Sequence, residues 1–302
     1  MDDVLLIFHL RPARRDARAT ATAEALSLLG DLSASAPAGG PLSDQGGLFW
    51  ISLPTDALER ARERFPLLGY TNAVDILEPV ARGSSYHALS VRWRRRTYLL
   101  IRLYEEEPGA VRESAPDRRT FTIEDSGGTV RVVRGYRGGS GPLSRRGLPV
   151  PDARMLVNLA RAERGGAFLD PFAGAGGIII EARERGYRVL SCDLDPALRY
   201  GLTALGAAHA IADASRLPYR PASIDAIATE PPYEPEADGA VIAALGEMGR
   251  ILRTGGRMAM LCAARQADGI RGRAGSTGLS LCHDSPINRK GLDCAVLAWE
   301  KR

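Results

Sequence analysis

Lysine is nearly missing. Lys290 and Lys301 are the only two in a chain of 302 residues, so almost all of its positive charge is arginine. Arginine grips phosphate bidentately and stacks on bases, although GC-rich coding or a hot habitat would also replace lysine by arginine. The formal net charge is only +4, a mild balance that permits a nucleic-acid partner without requiring one. Cysteine is scarce as well. Cys192, Cys262, Cys282 and Cys294 form no C-x-x-C pair, which argues against a zinc site and for buried thiols in a reducing cytoplasm. Long apolar runs are absent too. Val4 to Phe8 is too short for a signal sequence or a membrane span. These absences predict a soluble cytoplasmic protein with no metal and no membrane partner.

What is present changes character near residue 138. "RGGSGPLSRRGLPVP" reads as a linker over 138–150. It separates an N-terminal α+β domain, residues 1–137, from a C-terminal domain, residues 151–302. In the first domain, "VLLIFHL" and "LFWISL" read as strands. Between them lies a helix that Gly30 stops, then a loop over 33–47. Thr55 is placed to cap a second helix. "YHALSVRWRRRTYLLIRLYEEE" reads as one or two strands. "RTFTIED" and "TVRVVRGYR" flank Gly127 and Gly128 as a hairpin.

The second domain alternates strands and helices. "PDARMLVNLARAERG" places Ala153, Leu156, Val157 and Ala160 on one helix face. "AFLD", "YRVLSCDLD", "AHAIAD", "SIDAIATE" and "RMAMLCAA" read as strands. "GIIIEARERG", "PALRYGLTALG" and a helix running to Gly255 and Gly256 separate them. "LSLCHDS" and "DCAVLAWEK" close as a hairpin. Strict β/α alternation predicts a parallel, doubly wound α/β sheet.

Four motifs carry chemistry. In "LDPFAGAGGIIIEA", Asp170 ends a strand, and a turn with Gly174, Gly176 and Gly177 leads into a helix, letting backbone approach a ligand closely. The dinucleotide fingerprint fails, because Ile179 stands where its third glycine belongs. That weighs against a nicotinamide enzyme. An acid just before the turn suits a cation, such as the amino group of S-adenosylmethionine. Asp193, ending the next strand, suits ribose hydroxyls, and Asp195 can cap the helix after it. Asp213 ends the third strand, where it could accept from an adenine amine or form a turn. In "IATEPPYE", Glu230, Pro231, Pro232 and Tyr233 end the fourth strand. A carboxylate and a proline carbonyl can both accept from an exocyclic NH2, and Tyr233 can stack on its ring for about 1–3 kcal/mol.

Residues 151–262 resemble a class I S-adenosylmethionine-dependent methyltransferase. More narrowly, "PDARMLVNLA", "DPFAGAGGIIIEA" and "DLDP" resemble the archaeal and eukaryotic tRNA guanine N2-methyltransferases that act at position 10. The resemblance implies a Rossmann-like fold with a mostly parallel seven-stranded sheet. It implies Asp170, Ala173, Gly174 and Gly176 at the methionine end of S-adenosylmethionine, Asp193 at the ribose and Asp213 at the adenine. It makes Glu230, Pro231, Pro232 and Tyr233 the acceptor site, with RNA, in particular tRNA, as partner. Two departures stand out. The family's acceptor motif begins with Asp or Asn, and here it is Glu230, one methylene longer. The family also carries an N-terminal region with a THUMP domain, and residues 1–137 show no traceable THUMP pattern.

Arginine clusters could hold RNA. Arg92, Arg94 and Arg96 are expected along one strand face, with Arg134 and Arg137 in the hairpin and Arg145 in the linker. A solvated, charge-protected edge strand would look the same. His9, His87, His209 and His283 fall in no triad or ligand spacing. Methyl transfer from S-adenosylmethionine to guanine N2 of tRNA is the leading expectation. An adenine-N6 methylase of DNA or rRNA, a small-amine methylase, and a noncatalytic protein that binds S-adenosylmethionine or RNA are the alternatives.

Overall fold

The computed structural model describes residues 3–37, 46–79, 90–93, 96–106, 120–126, 129–135, 148–289 and 291–302. By its contacts the chain divides into two units, Met1–Pro108 and Gly109–Arg302. The sequence places the change at the 138–150 linker; in the structure the hairpin before that linker groups with the second unit.

The first unit is an antiparallel sheet with the order β2-β1-β3-β5-β4. Its strands are β1 (Asp3–Leu10), β2 (Leu48–Pro54), β3 (Thr71–Pro79), β4 (Ser90–Trp93) and β5 (Arg96–Glu105). Two helices accompany them, α1 (Arg18–Leu29) and the short α2 (Leu58–Arg62). Leu6, Phe8, Ala21, Ala25, Leu29, Ile51 and Phe65 are fully buried in this unit. Phe8 stacks on Phe49 at 4.9 Å and meets Phe65 edge-on at 5.9 Å, both favoured ring geometries. The expected cap at Thr55 is displaced: Thr55 opens a 3-10 turn whose N-cap position is Pro54. The sequence also hides β3, because Asp75 breaks its apolar run. That buried acid is held by His9 Nε2 at 2.7 Å and by Arg102.

The "RWRRR" cluster does not run along one strand. Arg92 lies on β4 and Arg96 on the antiparallel β5, with Trp93 opposite Arg96. Arg94 lies outside the described residues. β6 (Thr120–Ser126) and β7 (Thr129–Gly135) pair antiparallel, with Ser126 opposite Thr129, as the Gly-Gly signal predicts. Arg134 lies on β7, opposite Phe121. Gly127, Gly128, Arg137, Arg145 and His87 lie outside the described residues.

The second unit holds a seven-stranded sheet with the order β10-β9-β8-β11-β12-β14-β13. β8 (Ala167–Asp170), β9 (Arg188–Asp193), β10 (Ala208–Ile211), β11 (Ile224–Thr229) and β12 (Leu252–Ala263) run parallel. β14 (Leu292–Lys301) is antiparallel to both β12 and β13 (Leu279–Arg289). This is the mostly parallel, doubly wound α/β sheet expected. Chain order reverses between β8 and β11, so the crevice beyond their carboxyl ends is the place for a ligand.

The described helices of this unit are α3 (Val150–Ala160), α4 (Gly177–Glu184), α5 (Arg199–Ala204), α6 (Asp238–Ile251) and α7 (Ala267–Gly275). Leu169, Cys192, Ile227, Met260, Leu297 and Trp299 share one core with Leu245 and Met248 of α6 and Ile270 of α7. Strand side chains alternate, so Phe168 points the other way and stacks on Tyr187 at 5.2 Å. α6 ends at Ile251, short of the expected Gly-Gly stop. Leu252 turns extended, and β12 runs on through a register shift: Ile224 pairs with Leu252 but Ala226 with Arg257. Gly255 takes φ +76°, and a Cβ on Gly256 would lie 2.9 Å from the Asp225 carbonyl, so the bulge needs both glycines. No described helix is long and apolar enough to cross a membrane.

Candidate active site

The carboxyl ends of β8, β9 and β11 bring three of the four motifs together. Asp170 is the last residue of β8 and is buried. Its Oδ1 accepts from the Phe172 amide at 3.2 Å and from the Thr229 hydroxyl at 2.9 Å. Thr229 is the last residue of β11, directly before Glu230. Burial pushes the Asp170 carboxyl up to about 7, against the pull of those two donors. A buried carboxyl poised in this way gains from a cation placed beside it.

The glycine turn is tied to the next strand. Asp193 Oδ2 accepts from the Gly174 amide at 2.8 Å, and Oδ1 accepts from the Asp195 amide at 3.0 Å. Ala173 donates its amide to the Cys192 carbonyl at 2.9 Å. Gly176 takes φ +80°, where a Cβ would stand 2.6 Å from Leu205 Cδ1. Asp195 caps the Pro196–Leu198 turn through the Ala197 amide at 2.9 Å, as the sequence suggested.

Two apolar neighbours of Asp193 carry no sequence signature. Leu194 follows it and is 67% exposed; Ile211, opposite it in the β10 register, is 49% exposed. An acid between two uncovered aliphatic side chains fits a nucleoside, with hydroxyls for the acid and a flat base for the apolar surfaces. Asp213 directly follows Ala212, whose amide donates to the Asp193 carbonyl at 3.1 Å. β10 ends two residues earlier, at Ile211; Asp213 is exposed, and its Oδ1 accepts from the Ser215 amide at 2.8 Å. That is a turn-forming aspartate.

At the acceptor motif, Glu230 is partly buried, Pro231 buried, Pro232 exposed and Tyr233 half-buried. The loop is anchored through its carbonyls. Gln266 Nε2 donates to Pro232 O at 3.0 Å, and Arg265 donates to Tyr233 O. Both anchors are locked to Asp238 at the start of α6. Tyr233 turns its hydroxyl onto Glu230 Oε1 at 2.5 Å. Arg289, at the end of β13, bonds to the same oxygen and to the Tyr233 hydroxyl, 2.8 Å away. Arg289 Nε also pairs with Asp152 of α3 at 3.1 Å, an acid with a fully buried side chain. Burial next to these groups pushes the Tyr233 phenol well above its usual range. Asp152 falls inside "PDARMLVNLA", whose sequence reading rests on its apolar face alone, and Arg289 falls in none of the motifs.

Elsewhere, Cys192, Cys262 and Cys294 are buried as expected, but Cys282 is exposed.

The family model described as "RMKL-like, methyltransferase domain" matches residues 151–194, from α3 through Leu194, the residue after Asp193. The tRNA (guanine(10)-N2)-dimethyltransferase of Methanothermobacter thermautotrophicus is 39% identical over 90 residues, 27% of this chain and 26% of that protein. The enzyme of the same name from Methanocaldococcus jannaschii is 34% identical over 116 residues, 34% of this chain and 32% of that protein. The chain therefore matches only about a quarter to a third of the length of these curated relatives. Among solved structures, TrmN from Thermus thermophilus is 18% identical, with a TM-score of 0.52 over 99% of this chain and 100% of that one. The fold is shared with the TrmN structure, and "PDARMLVNLA" and "DPFAGAGG", two of the stretches that carry the resemblance to methyltransferases, lie inside the family-model match.

Proposed function

We propose that this chain is an S-adenosylmethionine-dependent RNA methyltransferase that modifies an exocyclic amine, with guanine N2 of tRNA as its target. One observation carries the reading. Thr229, directly before the acceptor motif, hydrogen bonds to Asp170, the acid of the methyl-donor motif, so the two half-sites share one strand-end crevice. The matching relatives are named as tRNA guanine-N2 enzymes, which supports the choice of base and of RNA.

When bound, S-adenosylmethionine supplies a methyl group on a good leaving group. The chain's residues do the rest. Asp170 pairs with the cofactor's ammonium, and Asp193 accepts from its ribose hydroxyls. Leu194 and Ile211 cover the adenine. Glu230 and the Pro231 carbonyl would accept from the exocyclic NH2 and so orient its lone pair. Most of the acceleration is then positional. The extra proton left on the methylated nitrogen would pass to the Glu230 carboxylate, so no strong base would be needed beforehand.

The test is transfer from labelled S-adenosylmethionine to unmodified tRNA, with DNA and protein as parallel acceptors, read by nucleoside mass spectrometry. N2-methylguanosine from tRNA is the expected product. Label in DNA or in N6-methyladenosine alone would overturn the choice of base.

A further inference from the structure

In a site that uses an acid to orient an amine, an acid one methylene too long must be held back or the amine is displaced by roughly 1.5 Å. Glu230 is held. Its Oε1 receives both the Tyr233 hydroxyl and Arg289 Nη1, while Oε2 accepts no hydrogen bond among the described residues. Arg289 is fixed in turn. Its side chain is 15% exposed, and its Nε pairs at 3.1 Å with Asp152, whose side chain is fully buried. The chain of contacts runs from α3 through the end of β13 to the end of β11, three separate parts of one unit.

We propose that Arg289, seated on Asp152, is a positioning residue for the acceptor site: it draws the Glu230 carboxylate back so that Oε2 is presented to the amine, and it fixes the Tyr233 ring. Arg289 and Glu230 are then a matched pair. The longer acid reaches the guanidinium, and a shorter one in its place would leave Arg289 facing a gap. One group presents three side chains at once, because Arg289 Nη1 bonds to both Glu230 and Tyr233 while its Nε holds Asp152. Lysine, with a single ammonium, cannot reproduce that fork.

This inference rests on the methyl-transfer reading, so its test has one readout that needs no turnover. Arg289→Met, Arg289→Lys, Glu230→Asp and the double variant Asp152→Asn/Arg289→Met are compared with the parent. The double variant removes both charges and guards against misfolding from a stranded buried acid. The first measurement is the 19F spectrum of protein containing 3-fluorotyrosine, with the Tyr233 line assigned by its loss in Tyr233→Phe. The Tyr233 line should shift and broaden in Arg289→Met and in the double variant. The second measurement is S-adenosylmethionine affinity by calorimetry, alongside kcat and KM for tRNA. Affinity should stay within about threefold, while kcat falls about 10²-fold, the scale of an ångström of misplacement. Arg289→Lys should recover only part of kcat. Glu230→Asp should also lose activity, although it restores the family's residue.

An unchanged Tyr233 line in a folded Arg289→Met protein would overturn the proposal, with or without activity. So would full kcat in Arg289→Met, or a Glu230→Asp enzyme as fast as the parent. If the parent transfers methyl to no acceptor, the functional reading fails, and the 19F comparison still decides the role of Arg289.

Discussion

The Thr229 hydroxyl donates to Asp170 Oδ1 at 2.9 Å, joining the last residues of two neighbouring parallel strands. Both side chains are buried. Burial lifts the Asp170 carboxyl from its ordinary 3.8 to about 7. The folded protein therefore holds a proton there that the unfolded chain has released. This group's contribution to stability is present below its ordinary pKa and falls by about 1.4 kcal/mol per pH unit until the folded value is passed. A bound cation favours the charged carboxylate and reverses the trend. S-adenosylmethionine affinity should rise with pH through about 7 and then level off, with a proton released on binding below that point. Calorimetry in two buffers of different ionisation enthalpy measures the proton. Thr229→Val, lacking the donor, should move the midpoint upward.

Asp193 and Asp213 make opposite predictions. Asp193 holds the Gly174 and Asp195 amides, so Asp193→Ala loosens the turn and removes the ribose acceptor together. Hydrogen bonds to a charged group contribute about 1.5–3 kcal/mol each, so S-adenosylmethionine affinity should fall at least about tenfold. Asp213 is exposed and bonded within its own turn. Asp213→Ala should change affinity less than about threefold, the range of an exposed polar contact. Equilibrium binding to the two variants tests both, and an affinity unchanged in Asp193→Ala removes the ribose assignment.

Tyr233 offers a hydroxyl and a ring, and two substitutions separate them. Tyr233→Phe keeps the ring and loses the 2.5 Å bond to Glu230. Tyr233→Ala loses both. Methyl transfer should fall at least about tenfold in the first, where the hydroxyl's bonds to Glu230 and Arg289 are both lost, and about a further tenfold in the second, where stacking is lost. Binding of S-adenosylmethionine should survive in both. Single-turnover rates beside binding isotherms make the comparison.

Gly176→Ala tests the turn by itself. Its φ of +80° strains any L side chain, and the new Cβ would meet Leu205 Cδ1 at 2.6 Å. A loss of about 1–3 kcal/mol is expected from the strained backbone, read as a lower midpoint of urea unfolding. An unchanged midpoint would show that Leu205 yields freely and that the glycine is dispensable for folding.

The sequence made the frame of the second unit legible because its elements alternate and each motif follows its strand. "AFLD", "YRVLSCDLD" and "SIDAIATE" all fall on strands at the expected places. The misses have local causes. Asp75 interrupts β3 because a buried acid was matched by His9 and Arg102 on other strands, a tertiary effect invisible in a window. The Gly255–Gly256 pair reads as a helix stop but serves a bulge inside β12. Arg289 and Asp152 lie 137 positions apart and meet only through the sheet, so no spacing rule could join them. Leu194 and Ile211 have no signal in the sequence, because exposure, not identity, marks them.

The acceptor loop is gripped by its backbone. Gln266 and Arg265 hold the carbonyls of Pro232 and Tyr233, and carbonyls are present whatever side chains those positions carry. The path of the loop is thereby separated from its choice of substrate. A lineage could exchange residues 230, 232 and 233 and keep the same scaffold beneath them. The mount leaves the length of the acid at position 230 free, and it is the Arg289 guanidinium that meets Glu230 there. Directed evolution of new acceptors should begin at these three positions and leave Arg265, Gln266 and Asp238 untouched.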